Sequence, residues 1–581
     1  MGKSQQVRLE SAIGRLFFVL VLAAGGTGIA IAASPGPSGG GQPLADGRSD
    51  IQPQARMGDP LPGLTDDELD RFMKGKDAFS TPFTAADGLG PGFNQDSCSS
   101  CHTMPLGGSG SVSVTRFGVE NPDGTFDPLV EYGGSLLQSE TIHPDCQETI
   151  PDVPNLVTAQ RITNSTLGMG LVEAIDDADL LALAARGSGR AHMVPVLEDP
   201  DSPLRVGRFG WKAQLATIMS FSADALLMEQ GVTSEVLDEP VAPNNNWDLM
   251  DFCDSFGPDH PQEPIDDEGV RFTERLNDFQ RFLAPPPQTP RSAMTGEALF
   301  NQVGCNQCHV SEFTTPGHDG IPEALRNQTV KPYSDFLLHD MGLQADFIAQ
   351  GDAGQREMRT PPLWGLRVRD PIWHNGEIGG GTFEDRVMQA IERHGAFGSA
   401  AQPSYQAFAA LDDSEQSKVI DFLDSLGRAE FDATGNNVVE LEDFVDFAQC
   451  FSGPGNHYTA DDHCAIHDIN QDGAVDLIDF EYFLMAYDED LTDCNQSGNP
   501  DIVDIIHGDS SDNNASGIPD ECDSNRYDLS GDGQVNGGDL GILLSNWGPC
   551  DSPPHLCVGD FNNDGKVDGA DLGMLLANWG P

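Results

Sequence analysis

Two short cysteine–histidine motifs have residue types and a spacing that match a known covalent chemistry. They are Cys98-Ser-Ser-Cys101-His102 and Cys305-Asn-Gln-Cys308-His309. In a C-x-x-C-H motif the two thiols add to the vinyl groups of a haem, and the histidine becomes the proximal iron ligand. A single copy is also compatible with a redox dithiol that happens to precede a histidine. Because the chain holds two copies, the sequence favours two covalent c-type haems.

Helices with recognisable starts are expected to position both motifs. Thr65-Asp-Asp-Glu68 is a capping-box sequence, which predicts a helix that runs through Phe79 before the first motif. A helix predicted over 293–303 leads into the second motif, and an amphipathic helix over 413–426 follows it. Each motif is therefore expected to lie between helices.

The charge of the chain is strongly negative and unevenly distributed. With 92 acidic and 31 basic residues, the formal net charge is −61. From Glu430 to Pro581, 32 acidic residues face only two basic ones, Arg526 and Lys566. Proteins that bind nucleic acid carry basic patches instead, so we expect no nucleic-acid partner. The acidic segment is either a solvated run or a set of ligands for cations.

The first residues are typical of a secretory signal peptide. Lys3, Arg8 and Arg15 precede an apolar run that ends in small residues, and we assign 1–33 to the signal. An uncleaved membrane anchor is the alternative. The Gly/Pro/Ser-rich stretch that follows predicts a linker over 34–57. We expect an exported bacterial protein (periplasmic, cell-surface-attached or secreted) with no transmembrane helix after signal cleavage.

Eight cysteines lie outside the haem motifs. In an oxidising compartment an even number of cysteines predicts disulfides. Short sequence separations favour the pairs Cys450–Cys464 and Cys550–Cys557, while the pairing of the remaining four stays open. The remaining four are Cys146, Cys253, Cys494 and Cys522.

The segments that follow the two haem motifs are similar to each other, which indicates an internal duplication. Arg208-Phe-Gly-Trp211 precedes one predicted helix, and Pro371-Ile-Trp373 precedes another. The helices are predicted over 214–228 and 383–393. In this alignment Glu229 and His394 hold the same place relative to their own haems.

Together these motifs resemble the bacterial dihaem oxidoreductases, a group related to dihaem cytochrome c peroxidases and methylamine dehydrogenase maturation enzymes. The resemblance spans roughly 58–427. Beyond the haem motifs it rests on the runs 207–213, 333–342, 359–365 and 394–395. It implies two cytochrome c-like α-helical domains, with one haem as an electron reservoir and the other as the site that reacts with peroxide. A small electron-donor protein is the partner it implies.

The resemblance also implies roles for three residues. His394 stands where the family places the sixth ligand of the C-terminal haem, although the peroxidases often use methionine there. Glu229 corresponds to the acid/base group over the N-terminal haem, where a carboxylate moves a proton between the two peroxide oxygens. Trp211 corresponds to the tryptophan that relays electrons between the haems.

Each of these residues has a plainer alternative. His394 is compatible with a surface histidine that interacts with a helix dipole, and Glu229 with an exposed acid at a helix end. Trp211 is compatible with a core aromatic residue. Met228 is a second candidate iron ligand, which would close the N-terminal site. The family's switchable histidine has no close counterpart, because the next histidine after the first motif is His143, so the N-terminal haem is expected to be open.

The acidic tail follows the frame of calcium-binding loops. An EF-type loop places oxygen ligands at positions 1, 3, 5, 9 and 12 and usually glycine at position 6. The predicted ligands are Asp468, Asn470, Asp472, Asp476 and Asp479; Asp493, Asn495, Asp501 and Asp504; Asp512, Asn514, Asp520 and Asp523; Asp528, Ser530, Asp532, Asn536 and Asp539; and Asp560, Asn562, Asp564, Asp568 and Asp571. This recurring frame predicts bound calcium rather than a solvated acidic run.

Two parts of the tail resemble known calcium modules. The last two loops start 32 residues apart and continue into nearly identical apolar helices, so 528–581 resembles a type I dockerin pair. The stretch 493–523 resembles thrombospondin type 3 repeats, which are held by metal and a disulfide. A dockerin implies a docking partner, either cohesin-like or on a cell surface.

These patterns predict a mainly α protein with two cytochrome c-like haem domains and a small calcium-binding tail of helices and loops. The predicted function is an exported, peroxidase-like dihaem oxidoreductase that is tethered by its tail. A non-catalytic electron carrier and a calcium-dependent adhesion protein with haem cargo are the alternatives. The predicted segments are a signal peptide (1–33), a linker (34–57), two haem domains (58–284 and 285–428), an EF-hand-like pair (429–490), thrombospondin type 3-like repeats (491–525) and a dockerin-like pair (526–581).

Overall fold

The structure is a computed structural model, and it describes most of the chain between residues 52 and 580. The described residues are 52–187, 189–254, 260–452, 457–487, 494, 501, 504, 510, 519–523, 526–530, 534–549, 558–562 and 565–580. The predicted signal peptide lies outside them, as does most of the predicted linker. None of the helices described is both long and apolar enough to cross a membrane. The chain forms two compact units, one within 41–437 with 457–466 and one that includes 438–456 with 467–581.

Helices supply most of the regular structure in the described residues. They are α1 (Asp66–Ser80), α2 (Cys98–Cys101), α3 (Met169–Ala174), α4 (Asp177–Ala184), α5 (Ile218–Gln230), α6 (Trp247–Cys253), α7 (Phe272–Phe282), α8 (Thr295–Gln302), α9 (Phe383–His394), α10 (Gln402–Phe408), α11 (Asp413–Ser425), α12 (Leu441–Cys450), α13 (Leu477–Ala486), α14 (Gly537–Ser545) and α15 (Gly569–Ala577).

Short strands accompany these helices, so the mainly α prediction is confirmed only in part. The strands are β1 (Gly92–Phe93), β2 (Ser113–Glu120), β3 (Phe126–Asp127), β4 (Glu140–Thr141), β5 (Leu156–Ile162), β6 (Met193–Val194), β7 (Arg205–Val206), β8 (Phe313–Thr314), β9 (Thr329–Val330), β10 (Leu338–Asp340), β11 (Glu357–Arg359), β12 (Gly548–Pro549) and β13 (Lys566–Val567). Antiparallel β3-β2-β5 is the three-stranded sheet among them, and the other described sheets are strand pairs.

Side-chain caps decide where several helices begin. Thr65 and Glu68 form the predicted capping box at the start of α1. The helix predicted over 214–228 instead begins at Ile218, because the hydroxyl of Thr217 accepts a hydrogen bond from the N–H of Ser220 at 3.1 Å. Glu229 therefore lies inside the last turn of α5 rather than after its end.

An aromatic core holds α1 next to the first motif. Phe72 and Phe79 of α1 are buried, and their rings lie 5.3 and 4.8 Å from the ring of Phe279 in α7. Burial of such side chains contributes about 1.5–3 kcal/mol each. The ring of Phe79 also lies 5.5 Å from that of His102. The packing of α1 on α7 thus places the motif histidine.

A similar helix pair holds the second motif. α8 packs on α11 through Phe300 and Phe422, whose rings lie 5.4 Å apart. Gly296 of α8 allows this approach, since a Cβ there would lie 1.8 Å from the carbonyl oxygen of Lys418. The ring of Phe300 lies 6.2 Å from that of His309. A helix pair therefore packs against each motif, which agrees with an internal duplication.

The last residues of the predicted linker are packed. Met57 is buried. The backbone N–H of Gln54 donates to the carboxylate of Glu430 at 3.0 Å, and its side-chain amide donates to the carbonyl oxygen of Gln288 at 3.0 Å. Residues at the C-terminal end of the predicted linker thus have polar and apolar partners in the structure.

The described part of the tail contains two helices related by the 32-residue repeat. A buried leucine from each of α14 and α15 joins one apolar core. Val567 in the second loop pairs with Gly548 after the first helix. Val535 in the first loop pairs with Gly580 after the second helix. The two halves thus exchange equivalent backbone contacts.

Disulfides join cysteines outside the haem motifs. Cys146–Cys253 links positions 107 residues apart with a Cα–Cα distance of 5.9 Å. Cys494–Cys522 has a Cα–Cα distance of 6.1 Å. Cys450 and Cys464 are each disulfide-bonded. The predicted pair Cys550–Cys557 lies outside the described residues.

Candidate functional site

The first motif forms a short helix that ends at its histidine. In α2 the hydroxyl of Ser97 accepts a hydrogen bond from the N–H of Ser100 at 3.2 Å and caps the helix. His102 follows, and its Nδ1 lies 2.8 Å from the carbonyl oxygen of Gly108. A ring N–H that donates to a carbonyl oxygen fixes the tautomer and leaves Nε2 as the ligand nitrogen. His102 is thus prepared to bind a metal.

The second motif has the same arrangement and a second histidine opposite it. Nδ1 of His309 lies 2.9 Å from the carbonyl oxygen of Tyr333, and Nδ1 of His394 lies 2.7 Å from that of Ala390. The two imidazole centroids are 6.5 Å apart. Since imidazole–metal bonds are about 2 Å long, one metal ion fits between the two rings. These residues fit a haem with two histidine ligands.

The four motif cysteines are free, unlike the other described cysteines, which are disulfide-bonded. Burial raises the pKa of Cys98 to about 12, that of Cys101 to about 11 and that of Cys305 to about 12. A redox dithiol needs a lowered thiol pKa. These three thiols therefore lack the lowered pKa that is typical of a redox dithiol.

Two arginines face the cavity beside the second motif without an acidic partner. This cavity, of about 270 Å³, is lined by both Arg359 and Arg369. Arg359 donates to the carbonyl oxygen of Gly210 at 2.6 Å, and Arg369 donates to that of Trp364 at 2.7 Å. Neither forms an ion pair with a described carboxylate, and burial lowers the pKa of Arg359 to about 9 and that of Arg369 to about 10. The two propionates of a haem would compensate two such cations.

Glu229 lies near the first motif, as the resemblance implies. Its carboxylate accepts a hydrogen bond from the side-chain amide of Asn94 at 2.8 Å. Burial raises the pKa of Glu229, against the opposing effects of Arg116 and of Asn94, and Asp224 raises it further. The same carboxylate is close enough to raise the pKa of Cys101. A carboxyl group with a raised pKa near the haem attachment point can act as a general acid and base.

Sequence reasoning missed Arg116 and Asp224, two charged residues at this site. Arg116 comes from β2, and its Nε is buried without a hydrogen-bond partner. Electrostatic interactions link Arg116 to both Glu229 and Asp224. The one signal in the sequence is an arginine inside a stretch rich in serine and valine, which by itself does not connect Arg116 to any site.

Trp211 begins a chain of aromatic rings that reaches the second motif. Its indole N–H donates to the carbonyl oxygen of Ile162 at 2.9 Å, and its ring lies 6.3 Å from that of His374. Trp373 lies 6.0 Å from His374 and 5.3 Å from His394. Sequence reasoning missed His374, although it follows Trp373 directly. These rings all line the same cavity.

A buried ion network supports the segment that carries Trp211. The carboxylate of Asp346 lies 2.7 Å from the guanidinium of Arg161 and 2.9 Å from the ammonium of Lys212, and all three side chains are buried. Removal of one partner would leave an uncompensated buried charge, which is strongly destabilising. The network thus fixes the backbone next to Trp211.

Other predicted positions lie elsewhere. Met228 is half-buried beside Glu229 on α5. His143 does not have the surroundings of an iron ligand, because its side chain is 47% exposed and its ring packs on Phe252.

Three predicted calcium loops share one hydrogen-bond frame in the described residues. The N–H of position 9 donates to the buried aspartate at position 12. These donor–acceptor pairs are Asp476–Asp479 (2.9 Å), Asn536–Asp539 (2.6 Å) and Asp568–Asp571 (2.8 Å). The position-6 glycine donates to the position-1 aspartate in Gly473–Asp468 and Gly565–Asp560, both at 2.8 Å. Burial raises the pKa of Asp479 to about 7, and a bound cation would favour its charged form.

The structure describes some of the remaining predicted calcium ligands and not others. In the loop that starts at Asp468, Asn470 and Asp472 complete the predicted set. In the stretch 493–523, which resembles thrombospondin type 3 repeats, Asp501 accepts a hydrogen bond from the N–H of Cys494 at 2.8 Å. The predicted ligands Asp493, Asn495, Asp512, Asn514, Asp532 and Asp564 lie outside the described residues. Calcium binding stays a prediction.

The chain was compared with protein families, curated proteins and solved structures. A family model described as "Di-haem oxidoreductase, putative peroxidase" matches residues 150–426. Among solved structures, the chain is similar to a MauG-like protein associated with microbial copper homeostasis, with 14% identity, a TM-score of 0.31 and coverage of 66% of this chain and 95% of that one. It is also similar to Kuenenia stuttgartiensis hydrazine synthase, with 12% identity, a TM-score of 0.27 and coverage of 69% and 100%. No curated protein matches the chain.

The family match covers the part of the chain that carries the second motif and its surroundings. The matched range includes the second motif and His394, while the first motif lies N-terminal to it. Histidines poised as ligands, free motif cysteines and unpaired arginines fit haem cofactors independently of that match. Residues 150–426 therefore match the model of the di-haem oxidoreductases, and the chain carries two C-x-x-C-H motifs.

Proposed function

We propose that the chain is an exported dihaem c-type oxidoreductase that reduces peroxide at its N-terminal haem with electrons relayed through its C-terminal haem. The observation that carries the proposal is an asymmetry between the motif histidines. His394 faces His309 at a centroid distance of 6.5 Å, whereas no ring contact joins His102 to another histidine in the described residues. Glu229 lies near the first motif instead. His309 and His394 would together ligate one haem, whereas His102 would be the single histidine ligand of the other, which would leave a position for substrate.

The residues around the first motif fit proton transfer to peroxide. Bound haem supplies the iron-centred redox chemistry. Glu229 takes the proton from one peroxide oxygen and returns it to the other as the O–O bond breaks. Two electrons and two protons convert one hydrogen peroxide into two water molecules. Asn94, which donates to Glu229, orients the carboxylate, and the nearby positive charge of Arg116 favours its charged form.

Electron transfer between the haems is proposed to use Trp211. The rings of Trp211, His374, Trp373 and His394 follow one another at centroid distances of 5.3–6.3 Å. The electrons come from outside the chain, and a small electron-donor protein is the proposed source.

The test is spectroscopic and kinetic, on the full-length protein with its haems. A pyridine-haemochrome assay should report two c-type haems per chain. Electron paramagnetic resonance of the oxidised protein should show one low-spin species and one species with an open position, and the reduced protein should consume peroxide. Two low-spin species without peroxide reactivity would instead establish the electron-carrier alternative.

We also propose that the tail binds calcium and docks the enzyme to a cohesin-like or cell-surface partner. The shared frame of the three described loops supports calcium binding. The resemblance to a dockerin pair supports the docking role and, with the export signal, a location outside the cytoplasm. Release of the protein from cells by a calcium chelator would test both parts, and unchanged attachment would contradict the docking role.

A further inference from the structure

The second motif has a partner that its haem chemistry does not require. His339 and Asp335 belong to the run 333–342, to which the function above assigns no role. Nδ1 of His339 lies 3.5 Å from the sulfur of Cys308, and Nε2 lies 2.9 Å from Oδ2 of Asp335. The side chain of His339 is 4% exposed and that of Asp335 is fully buried. The sulfur of half-buried Cys308 thus lies in one row with a buried imidazole and a buried carboxylate.

The fold holds this row in place from several sides. The N–H of Asp335 donates to the carbonyl oxygen of Cys308 at 2.8 Å, and Oδ1 of Asp335 accepts from the N–H of Leu337 at 3.0 Å. A Cβ on Gly189 would lie 2.6 Å from the ring of His339, so glycine makes room for the imidazole. The backbone therefore fixes both the distance and the direction of His339 toward the sulfur.

The hydrogen-bond partners of the two ring nitrogens determine the charge of His339. Once Cys308 is attached to a haem, its sulfur is a thioether that carries no proton and only accepts. The Asp335 carboxylate is also an acceptor. A carboxylate that faces Nε2 and an acceptor-only sulfur that faces Nδ1 together favour the doubly protonated, cationic form of the His339 ring. The positive end of the His339–Asp335 pair points at the haem attachment, and the negative end points away from it.

The second cysteine of the first motif has a different partner. Cys101 receives a hydrogen bond from the hydroxyl of Thr163, which is neutral. The sulfur of Cys308 therefore has an imidazole as its side-chain partner where the sulfur of Cys101 has a hydroxyl. A positive charge near a haem favours its reduced form, because reduction adds negative charge to the centre.

We propose that His339, held by Asp335, is a positioning residue for electron flow, because it sets the reduction potential of the C-terminal haem through the Cys308 sulfur. The inference rests on the proposed dihaem function and deepens it. With His309 and His394 as its ligands, the C-terminal haem would have a lower potential than a haem with histidine–methionine ligation. The imidazolium offsets part of that effect and keeps this haem able to accept electrons from an outside donor.

The test is a spectroelectrochemical titration of the full-length protein with both haems. His339→Gln should shift one of the two couples to a more negative potential, by at least the equivalent of a tenfold change in the reduction equilibrium, or 59 mV for one electron. The other couple should not move. Thr163→Val, the matched change at the first motif, should leave both couples within a twofold change, because it removes no charge.

Spectra separate this effect from loss of ligation. The low-spin signal of the C-terminal haem should be unchanged in His339→Gln, since His309 and His394 are retained. His339→Asn replaces this variant if His339→Gln does not retain two haems. A change below twofold in both couples, or an equal shift of both, would overturn the role of His339. Absence of two haems in the unmodified protein would instead overturn the proposed function.

Discussion

Glu229 lies among charges whose balance controls its protonation. Burial raises its pKa, Arg116 and Asn94 oppose that shift, and Asp224 adds to it. Only the raised direction makes a carboxyl group useful as a proton donor near neutral pH, because an ordinary glutamate is almost fully ionised there. The neighbouring residues thus determine the pKa of Glu229. We expect substitutions of Glu229 to change the rate of peroxide turnover more than the stability of the fold.

Glu229→Gln is expected to lower kcat for peroxide by about 10²–10⁴-fold, because the amide keeps the shape but moves no proton. Stopped-flow peroxide reduction with full haem content checks this. Glu235→Gln, on the loop after α5, is the matched control, since its side chain is 64% exposed. A Glu229→Gln enzyme within threefold of the unmodified one would contradict the acid/base role.

The pH dependence of peroxide turnover should carry the same signature. The proton-accepting form of Glu229 is its carboxylate, so activity should fall as pH decreases through its pKa. Since burial raises that pKa above the ordinary value of 4.5, the acid limb should lie at higher pH than for an exposed glutamate. Rates measured from pH 4 to pH 9 check this, and the limb should be missing in Glu229→Gln.

His394→Ala is expected to convert the C-terminal haem from low to high spin, because one of its two ligands is removed. Electron paramagnetic resonance of the oxidised protein measures the change. His143→Ala should leave both signals unchanged, since His143 is exposed and packs on Phe252. A retained low-spin signal in His394→Ala would contradict the assignment of His394 as the ligand.

At the scale of secondary structure, each motif depends on a helix pair behind it. α1 and α7 pack behind the first motif, and α8 and α11 pack behind the second. The contacts are aromatic rings with centroid distances near 5 Å, so they are specific in shape as well as apolar. The motif histidines are therefore placed by side chains far from them in sequence.

Phe79→Ala should cost about 3–5 kcal/mol of unfolding free energy, because it opens a cavity between α1, α7 and His102. Urea unfolding of the full-length protein, followed through the haem spectrum, measures this. Met73→Ala in the same helix is the control, since Met73 is 48% exposed and should cost less than about 0.5 kcal/mol. Equal effects of the two variants would contradict the proposed packing role.

At the scale of the whole molecule, redox chemistry and acidic charge belong to different compact units. The haem motifs, Glu229 and Trp211 lie in the unit within 41–437, and the loops that start at Asp468, Asp528 and Asp560 lie in the other. The acidic unit holds many like charges with few basic partners. Its folding is therefore expected to depend on cations that reduce this repulsion.

Calcium removal should consequently destabilise the tail and spare the haem unit. Ligand binding at a hundredfold excess over Kd contributes about 2.7 kcal/mol per site to folding. A chelator should lower the temperature of a calorimetric transition that the haem spectrum does not report. The haem-monitored transition is the internal control, and a shift of that transition alone would contradict calcium binding by the tail.

The amino-acid sequence by itself determined the local features. The C-x-x-C-H spacing predicted both attachment sites, the capping box located the start of α1, and the 32-residue repeat pointed to the paired tail helices. These are features that a few neighbouring residues specify through backbone geometry or covalent chemistry. Contacts between distant residues, such as the hydrogen bond from Gln54 to Gln288, are not specified in this way.

Only the tertiary structure decided which distant residues meet. Spacing alone did not connect Arg116 on β2 to Glu229 on α5, or His339 to the sulfur of Cys308. It also left open whether His394 was a surface residue, which its position opposite His309 answers. Such contacts depend on long-range packing, and no local sequence pattern encodes them. Burial then changes the proton affinity, and with it the charge, of the residues in contact.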